Sequence, residues 1–160
     1  MNSYPFGLSL SKPSHKCVDD PIRRDLVCAV LSLERVYGVA PQRVTGAIAE
    51  FDAAMLVGHS PQTYSLEMKG ATAVRKGFDF CYEGKRFQVK GNRPSGKPGS
   101  FITRTGKPAN MEWDFFVWIR YDEQYLLLEA WSWESALYGQ TLASMSRLSP
   151  ADLRAGLRLA

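Results

Sequence analysis

Apolar residues recur at steps of three and four in two segments, the spacing that is typical of amphipathic helices. The first segment opens at Asp20-Pro21 and ends at Gly38, with the apolar positions Ile22, Leu26, Ala29, Val30, Leu33, Val36 and Tyr37. Asp19 or Asp20 can cap this helix, and Pro21 suits its first turn. A second helix is predicted from residue 44 or 45 to Val57, closing at Gly58, with the apolar positions Ala47, Ile48, Phe51, Ala54 and Met55.

Further along the chain the pattern changes to that of strands. Strands are predicted at 78–82 and 85–90, at 114–121 and at 125–133, whereas 59–70 is ambiguous between a loop and a short strand at 64–68. A helical turn at 134–139 and a short last helix capped by Ser149-Pro150 follow. This order predicts a mixed α/β (α+β) fold with a central sheet, in one domain over 19–160 behind a flexible arm at 1–18.

Glu83-Gly84 sets the register of the first two strands, because it reads as a two-residue turn. The residue numbers of each cross-strand pair then add up to 167, which places Asp79 opposite Gln88 and Gly77 opposite Lys90. Since opposed and alternate residues share a face, Asp79, Gln88 and Lys90 lie together, with Gly77 leaving space beside the lysine. The other face is apolar and holds Phe78, Phe80, Tyr82, Phe87 and Val89.

An acid, an amide and a lysine on one face suit phosphate chemistry with a hard cation. Mg²⁺ prefers oxygen ligands, which Asp79 and Gln88 can supply, and Lys90 can orient an attacking water near a scissile phosphate. The alternative is an ordinary amphipathic hairpin in which Asp79 and Lys90 pair with each other.

The segment GFDFCYEGKRFQVKGNR resembles the core of the PD-(D/E)xK phosphodiesterase superfamily, which has the restriction-endonuclease-like fold. The resemblance implies that Asp79, Gln88 and Lys90 are catalytic and that TGAIAEFDAAMLVG is the preceding helix, whose Glu50 joins Asp79 and Gln88 as a ligand of Mg²⁺ or Mn²⁺. Glu67 is a rival for the helix position, and Asp52 is expected to be solvated. Two positions depart from the family pattern: Phe78 stands where a proline is usual, and Gln88 where an acid is usual.

Charge distribution supports a polyanionic partner. The chain carries +4, but residues 69–107 hold ten basic and two acidic residues, so this segment is +8 and the remainder −4. Such a concentration is typical of proteins that bind the nucleic-acid backbone. The long Gly- and Pro-rich loop at 91–110 belongs to this segment. The residues expected to contact nucleic acid, DNA in the first instance, are Arg86, Arg93, Lys97, Arg104 and Lys107.

Other features narrow the function classes. No apolar run approaches the ~20 residues of a membrane span, and no signal peptide is recognisable, so a cytoplasmic protein without a membrane partner is expected. Three widely spaced cysteines do not suggest a disulfide frame or a zinc site. His15 and His59 are expected at the surface, and Trp113, Trp118, Trp131 and Trp133 in the core.

The sequence therefore predicts a metal-dependent endonuclease acting in restriction, defence or repair, and homodimerisation is an option that related enzymes use. A catalytically inactive nucleic-acid-binding or accessory protein on the same fold is the alternative. A protein-interaction module that uses the aromatic strands is a third and weaker reading.

Overall fold

The computed structural model describes residues 19–38, 42–71, 77–95 and 98–160. Along these ranges three helices are followed by four strands, two short helices and a last short strand. They are α1 Pro21–Tyr37, α2 Gln42–Val57, α3 Pro61–Lys69, β1 Phe80–Tyr82, β2 Lys85–Asn92, β3 Phe115–Tyr121, β4 Leu127–Glu134, α4 Ser135–Thr141, α5 Pro150–Leu153 and β5 Leu157–Arg158. Lys97 and the arm at 1–18, which contains His15 and Cys17, lie outside the described residues.

The strands form one mixed sheet in the order β1-β2-β3-β4-β5. β2 and β3 run parallel, and the other neighbours are antiparallel. One apolar layer joins α1 and α2 to the inner side chains of the sheet, including Phe87, Val117 and Ile119. The second layer lies on the opposite face and packs Phe116, Trp118 and Trp133 against Tyr138 and Leu153 of α4 and α5. The predicted mixed α/β architecture with a central sheet and flanking helices is confirmed.

The local signals for the long helices and the hairpin are confirmed as well. Asp20 accepts a hydrogen bond from the Arg23 N–H at the start of α1, and Gly38 ends the helix with φ +67°. Ser149 and Asp152 form a capping box at α5. The β1–β2 register pairs Phe80 with Phe87 and Tyr82 with Lys85, as the turn predicts.

The buried side of α1 differs from the predicted one. Val27 and Val30 are buried, whereas Ile22 is 78% exposed and Tyr37 74% exposed. Arg23 decides this orientation, because its guanidinium binds both carboxylate oxygens of Asp52 at 2.6 and 2.7 Å. Asp52 is fully buried and also accepts a hydrogen bond from the Tyr121 hydroxyl, so the expectation that it is solvated was wrong.

The ambiguous segment after α2 is a helix, not a loop with a strand. Ser60 and Thr63 form a capping box at the start of α3, a signal that the strand prediction for 64–68 overlooked. His59 is 8% exposed and its ring nitrogens meet the Thr63 hydroxyl and the Cys81 carbonyl oxygen, which corrects its expected surface position.

Helix α2 approaches strand β2 most closely at Gly91. A Cβ on Gly91 would lie 2.5 Å from the Ala49 Cβ and 3.2 Å from the Thr45 carbonyl oxygen. Only glycine permits this separation. The contact holds the helix that carries Glu50 against the strand that carries Lys90.

Candidate active site

Asp79 immediately precedes β1, and its carboxylate takes over part of the backbone ladder. Its own N–H donates to the Phe87 carbonyl at 2.7 Å. Its Oδ2 accepts the Val89 N–H at 2.6 Å, a donor that a longer β1 would meet with a backbone carbonyl. The carboxylate therefore joins the two strands at the end of the hairpin that lies away from the turn, and it is held at a fixed place beside β2.

Gln88 donates from its amide nitrogen to the same Asp79 Oδ2, at 2.6 Å. The two side chains are thus directly joined across the hairpin. With Nε2 and Oδ2 engaged, Gln88 Oε1 and Asp79 Oδ1 are the oxygens that could ligate a cation.

The chain before Asp79 does not continue as a strand, which changes two expectations about the hairpin faces. Gly77 has φ +88°, and a Cβ there would lie 2.5 Å from a Glu112 carboxylate oxygen, so the space at Gly77 is taken by Glu112, and Gly77 is not in the strand that pairs with β2. Phe78 packs with the second apolar layer instead of joining Phe80. β1 accordingly begins only at Phe80, and within the described ranges no strand pairs with this edge of β2 beside Lys90.

Lys90 is half-buried on the sheet face that also carries Gln88 and Trp118. The loop following β2 returns over it, so that a Cβ on Gly106 would lie 3.7 Å from the Lys90 Cδ. Among the ion pairs between described residues, none involves Lys90. The direct Asp79–Lys90 pair of an ordinary hairpin is therefore not formed.

Glu50 of α2 completes the group. It is half-buried, and its pKa is raised to about 7, first by burial and then by the nearby negative charge of Asp79, while Lys90 acts in the opposite direction. Burial likewise raises the pKa of Asp79, against the Val89 N–H and the Lys90 charge. These mutual effects indicate that the charges of Glu50, Asp79 and Lys90 lie near one another beside β2.

The donor set fits a hard divalent cation that retains several waters. Two carboxylates and one amide oxygen are available, and Mg²⁺ is commonly bound through one or two carboxylates. Within the described ranges, no cluster of three or more His, Cys, Asp or Glu side chains suited to a metal was found. Asp79 nevertheless raises the pKa of Glu50 through its negative charge, and a cation near both carboxylates would favour their ionised forms.

Glu67, the rival for the helix position, lies elsewhere. Its Oε1 accepts the N–H of Cys81 at 3.1 Å, which fixes α3 to β1. It is not among the groups that shift the pKa of Glu50 or Asp79.

The basic residues expected to contact nucleic acid have varied surroundings. Arg93 binds both Glu34 oxygens at 2.6 and 2.8 Å and lies 4.3 Å from the Tyr125 ring centre, with only 7% of its side chain exposed. Lys107 donates to two backbone carbonyls, Ala143 and Met145. Arg93 and Lys107 thus hold the fold together.

Two other cations of this set remain at the surface. Arg86 is 45% exposed and bonds to Asp114, which raises the pKa of the guanidinium and partly offsets its charge. Arg104 is exposed in the loop two residues before Gly106. Among the members of the set that the structure describes, these two are the ones that a phosphate backbone can reach most readily.

Neither a protein-family model nor a curated protein matches the chain. In the part of the chain that the structure describes, no helix combines the length and the apolar character needed to cross a bilayer.

Proposed function

We propose that this chain is a Mg²⁺- or Mn²⁺-dependent nuclease with a restriction-endonuclease-like arrangement, hydrolysing phosphodiester bonds in DNA. The observation that carries the proposal is the convergence of Glu50 and Asp79, both with raised pKa values, beside Lys90. Perturbed titration at an accessible group of charges is a common mark of catalytic sites. Arg86 and Arg104 add positive charge at the surface for a polyanion.

Each residue has a distinct task in this proposal. Glu50 and Asp79 hold the cation through carboxylate oxygens, and Gln88 contributes its amide oxygen while its N–H keeps Asp79 in place. A bound cation of this kind lowers the pKa of its water and offsets charge that develops on phosphorus. Lys90 positions the attacking water or a phosphate oxygen, because its ammonium is not used by any ion pair among the described residues.

The test is cleavage of plasmid and linear DNA by Lys90→Met and by Asp79→Asn, with Mg²⁺ or Mn²⁺. Loss of general acid–base or water-positioning chemistry lowers rates by roughly 10²- to 10⁴-fold, and we expect at least this loss for each variant. Lys85→Met, which removes an exposed lysine from the same strand, is the charge-matched control and should cut as the parent does. Parental rates for Lys90→Met or Asp79→Asn would refute the assigned roles.

A second candidate is a non-catalytic nucleic-acid-binding protein on the same fold. It is favoured by Gln88, because a neutral ligand leaves only two carboxylates for the cation. This alternative predicts salt-sensitive binding of DNA or RNA that is indifferent to chelator, and no cleavage with any metal. Metal-dependent nicking by the purified parent would exclude it.

A further inference from the structure

Glu129 of β4 organises a group of cations that the +8 segment does not include. Its carboxylate is 7% exposed and accepts from Arg154 Nε and Nη2 at 2.8 and 2.7 Å, from Trp131 Nε1 at 2.9 Å and from Arg120 Nε. These bonds lower its pKa from 4.5 to about 2. Glu129 is therefore ionised at neutral pH and holds two guanidiniums in fixed orientations.

The outer sides of these guanidiniums remain open. The Arg154 side chain is 42% exposed and that of Arg120 is 32% exposed. A guanidinium has five N–H donors, and Arg154 donates two of them to Glu129, so three remain. Arg158 is exposed next to them, with its guanidinium 5.8 Å from the Trp131 ring centre. The cluster exceeds the single charge of Glu129 by two positive charges.

Strand register places this cluster on the same sheet face as Lys90. Lys90 is paired with Trp118, Trp118 with Trp131, and Trp131 with Arg158. Arg120 follows Trp118 by two residues and therefore shares that face. With strands about 4.8 Å apart, the row from Lys90 to Arg158 spans roughly 14 Å.

That span suits a nucleic-acid strand, which carries a phosphate every ~3.4 Å of helix axis. Trp118, in the middle of the row, is fully buried. Contacts with a nucleic acid are therefore expected at the two ends of the row, at Lys90 and at Arg158. Oriented arginines bind phosphate oxygens well, since their planar donors match the geometry of the anion and need little further ordering.

We propose that Arg120, Arg154 and Arg158 form a surface that binds the phosphate backbone of a nucleic acid that also contacts Lys90. This inference rests on the proposed nucleic-acid ligand, but not on catalysis. The positive charge for this contact then comes from Arg120 and the C-terminal segment. Arg93 and Lys107 do not supply it, because they are engaged in contacts within the protein.

The test is binding of a short fluorescent DNA duplex, followed by anisotropy in EDTA over a series of salt concentrations. Arg154→Gln and Arg158→Gln should each weaken binding and reduce the slope of log K against log salt by about one. Arg158→Gln guards against misfolding, because Arg158 is exposed and does not bond to Glu129. The control is Arg24→Gln, an equal loss of charge on α1, where Arg24 is 63% exposed and lies 3.6 Å from Asp19.

The outcomes separate this inference from the proposed nuclease activity. Unchanged slopes for both arginine variants would overturn the inference, even if the parent cleaves DNA. Reduced slopes for these variants, with Arg24→Gln as the parent, would support it, even if no metal yields cleavage and the proposed activity fails. Absence of DNA binding by the parent at low salt would overturn both.

Discussion

The Gln88 amide nitrogen donates to Asp79 Oδ2 at 2.6 Å, on the same oxygen that accepts the Val89 N–H. Asp79 therefore has a structural duty besides its proposed catalytic one. A substitution that removes the carboxylate oxygens disturbs both the structural and the proposed catalytic role. A substitution that removes only the negative charge disturbs the catalytic role alone. Asp79 variants can separate the two roles.

We expect Asp79→Ala to lose about 1–3 kcal/mol of unfolding free energy, because Val89 N–H and the Gln88 amide lose their acceptor. Asp79→Asn retains an amide oxygen for Val89, so it should lose less stability but as much metal-dependent cleavage. Urea unfolding and a cleavage assay measure the two effects. If the alanine and asparagine variants were equally stable, the proposed ladder role of the carboxylate would be wrong.

Gln88→Glu should convert the site to three carboxylates. Without metal, the added negative charge beside Asp79 and Glu50 should lower the melting temperature. With Mn²⁺ the same charge should strengthen binding, so the Mn²⁺-induced rise in melting temperature should exceed that of the parent. Gln62→Glu, at an exposed position on α3, is the control and should leave the rise unchanged. An equal or smaller rise for Gln88→Glu would argue against metal ligation at this position.

The raised pKa of Glu50 predicts a pH-dependent stability. Because the folded-state pKa is about 7 against 4.5 ordinarily, the folded protein binds an extra proton between these values. The resulting stabilisation is present below pH 4.5 and is lost as pH rises through 7. Glu50→Gln lacks this loss, so near pH 8 its unfolding free energy should exceed that of the parent by about 1–2 kcal/mol. This value is reduced for partial solvent screening. Denaturant unfolding across this pH range measures the difference, and a constant difference would contradict the pKa assignment.

Metal affinity should change with pH in the opposite sense to apoprotein stability. A cation competes with the proton on Glu50, so binding of Mn²⁺ should strengthen as pH rises from 6 to 8. Calorimetry in two buffers of different ionisation enthalpy reports the proton release directly. Proton release that persists in Glu50→Gln would assign it to another group.

Arg93 is expected to affect stability far more than nucleic-acid binding. Arg93→Met leaves the Glu34 carboxylate, whose side chain is 18% exposed, without its partner, which should cost about 2–3 kcal/mol. The double variant with Glu34→Leu should recover part of this loss. Unfolding experiments give the energies, and the salt slope of DNA binding should equal that of the parent. A slope reduced by one unit would restore Arg93 as a phosphate contact.

Local chemistry in the sequence was sufficient for the long elements and the hairpin. Pro21 and Gly38 delimit α1, and Glu83-Gly84 fixes the cross-strand pairs, because the backbone conformation of a two-residue turn leaves one register. Extended by one residue, that register predicted Asp79 opposite Gln88, and the two side chains are hydrogen-bonded. Trp113, Trp118 and Trp133 are in the core, as their apolar strands predict, and Trp131 is only partly buried.

Features set by tertiary partners could not be predicted from apolar spacing. The buried side of α1 is chosen by an ion pair between Arg23 and Asp52, two residues that spacing rules assign to solvent. The pKa of Glu50 is raised by its burial and by the charge of Asp79, both of which depend on how α2 packs against the hairpin. At Asp79 the side chain, not a backbone carbonyl, accepts the Val89 N–H, and spacing does not predict this. The two-residue strand β5 is too short for any periodic signal.

Gly91 imposes a mechanical limit on the molecule, because its missing side chain is what lets α2 rest on β2 at Ala49. Even one added methyl group would act as a wedge between the helix and the strand. The gap between the Glu50 and Lys90 backbones is consequently set one residue away from either functional group. A substitution at Gly91 would therefore shift Glu50 relative to Lys90 and impair the proposed catalytic centre, although every side chain of that centre would be retained.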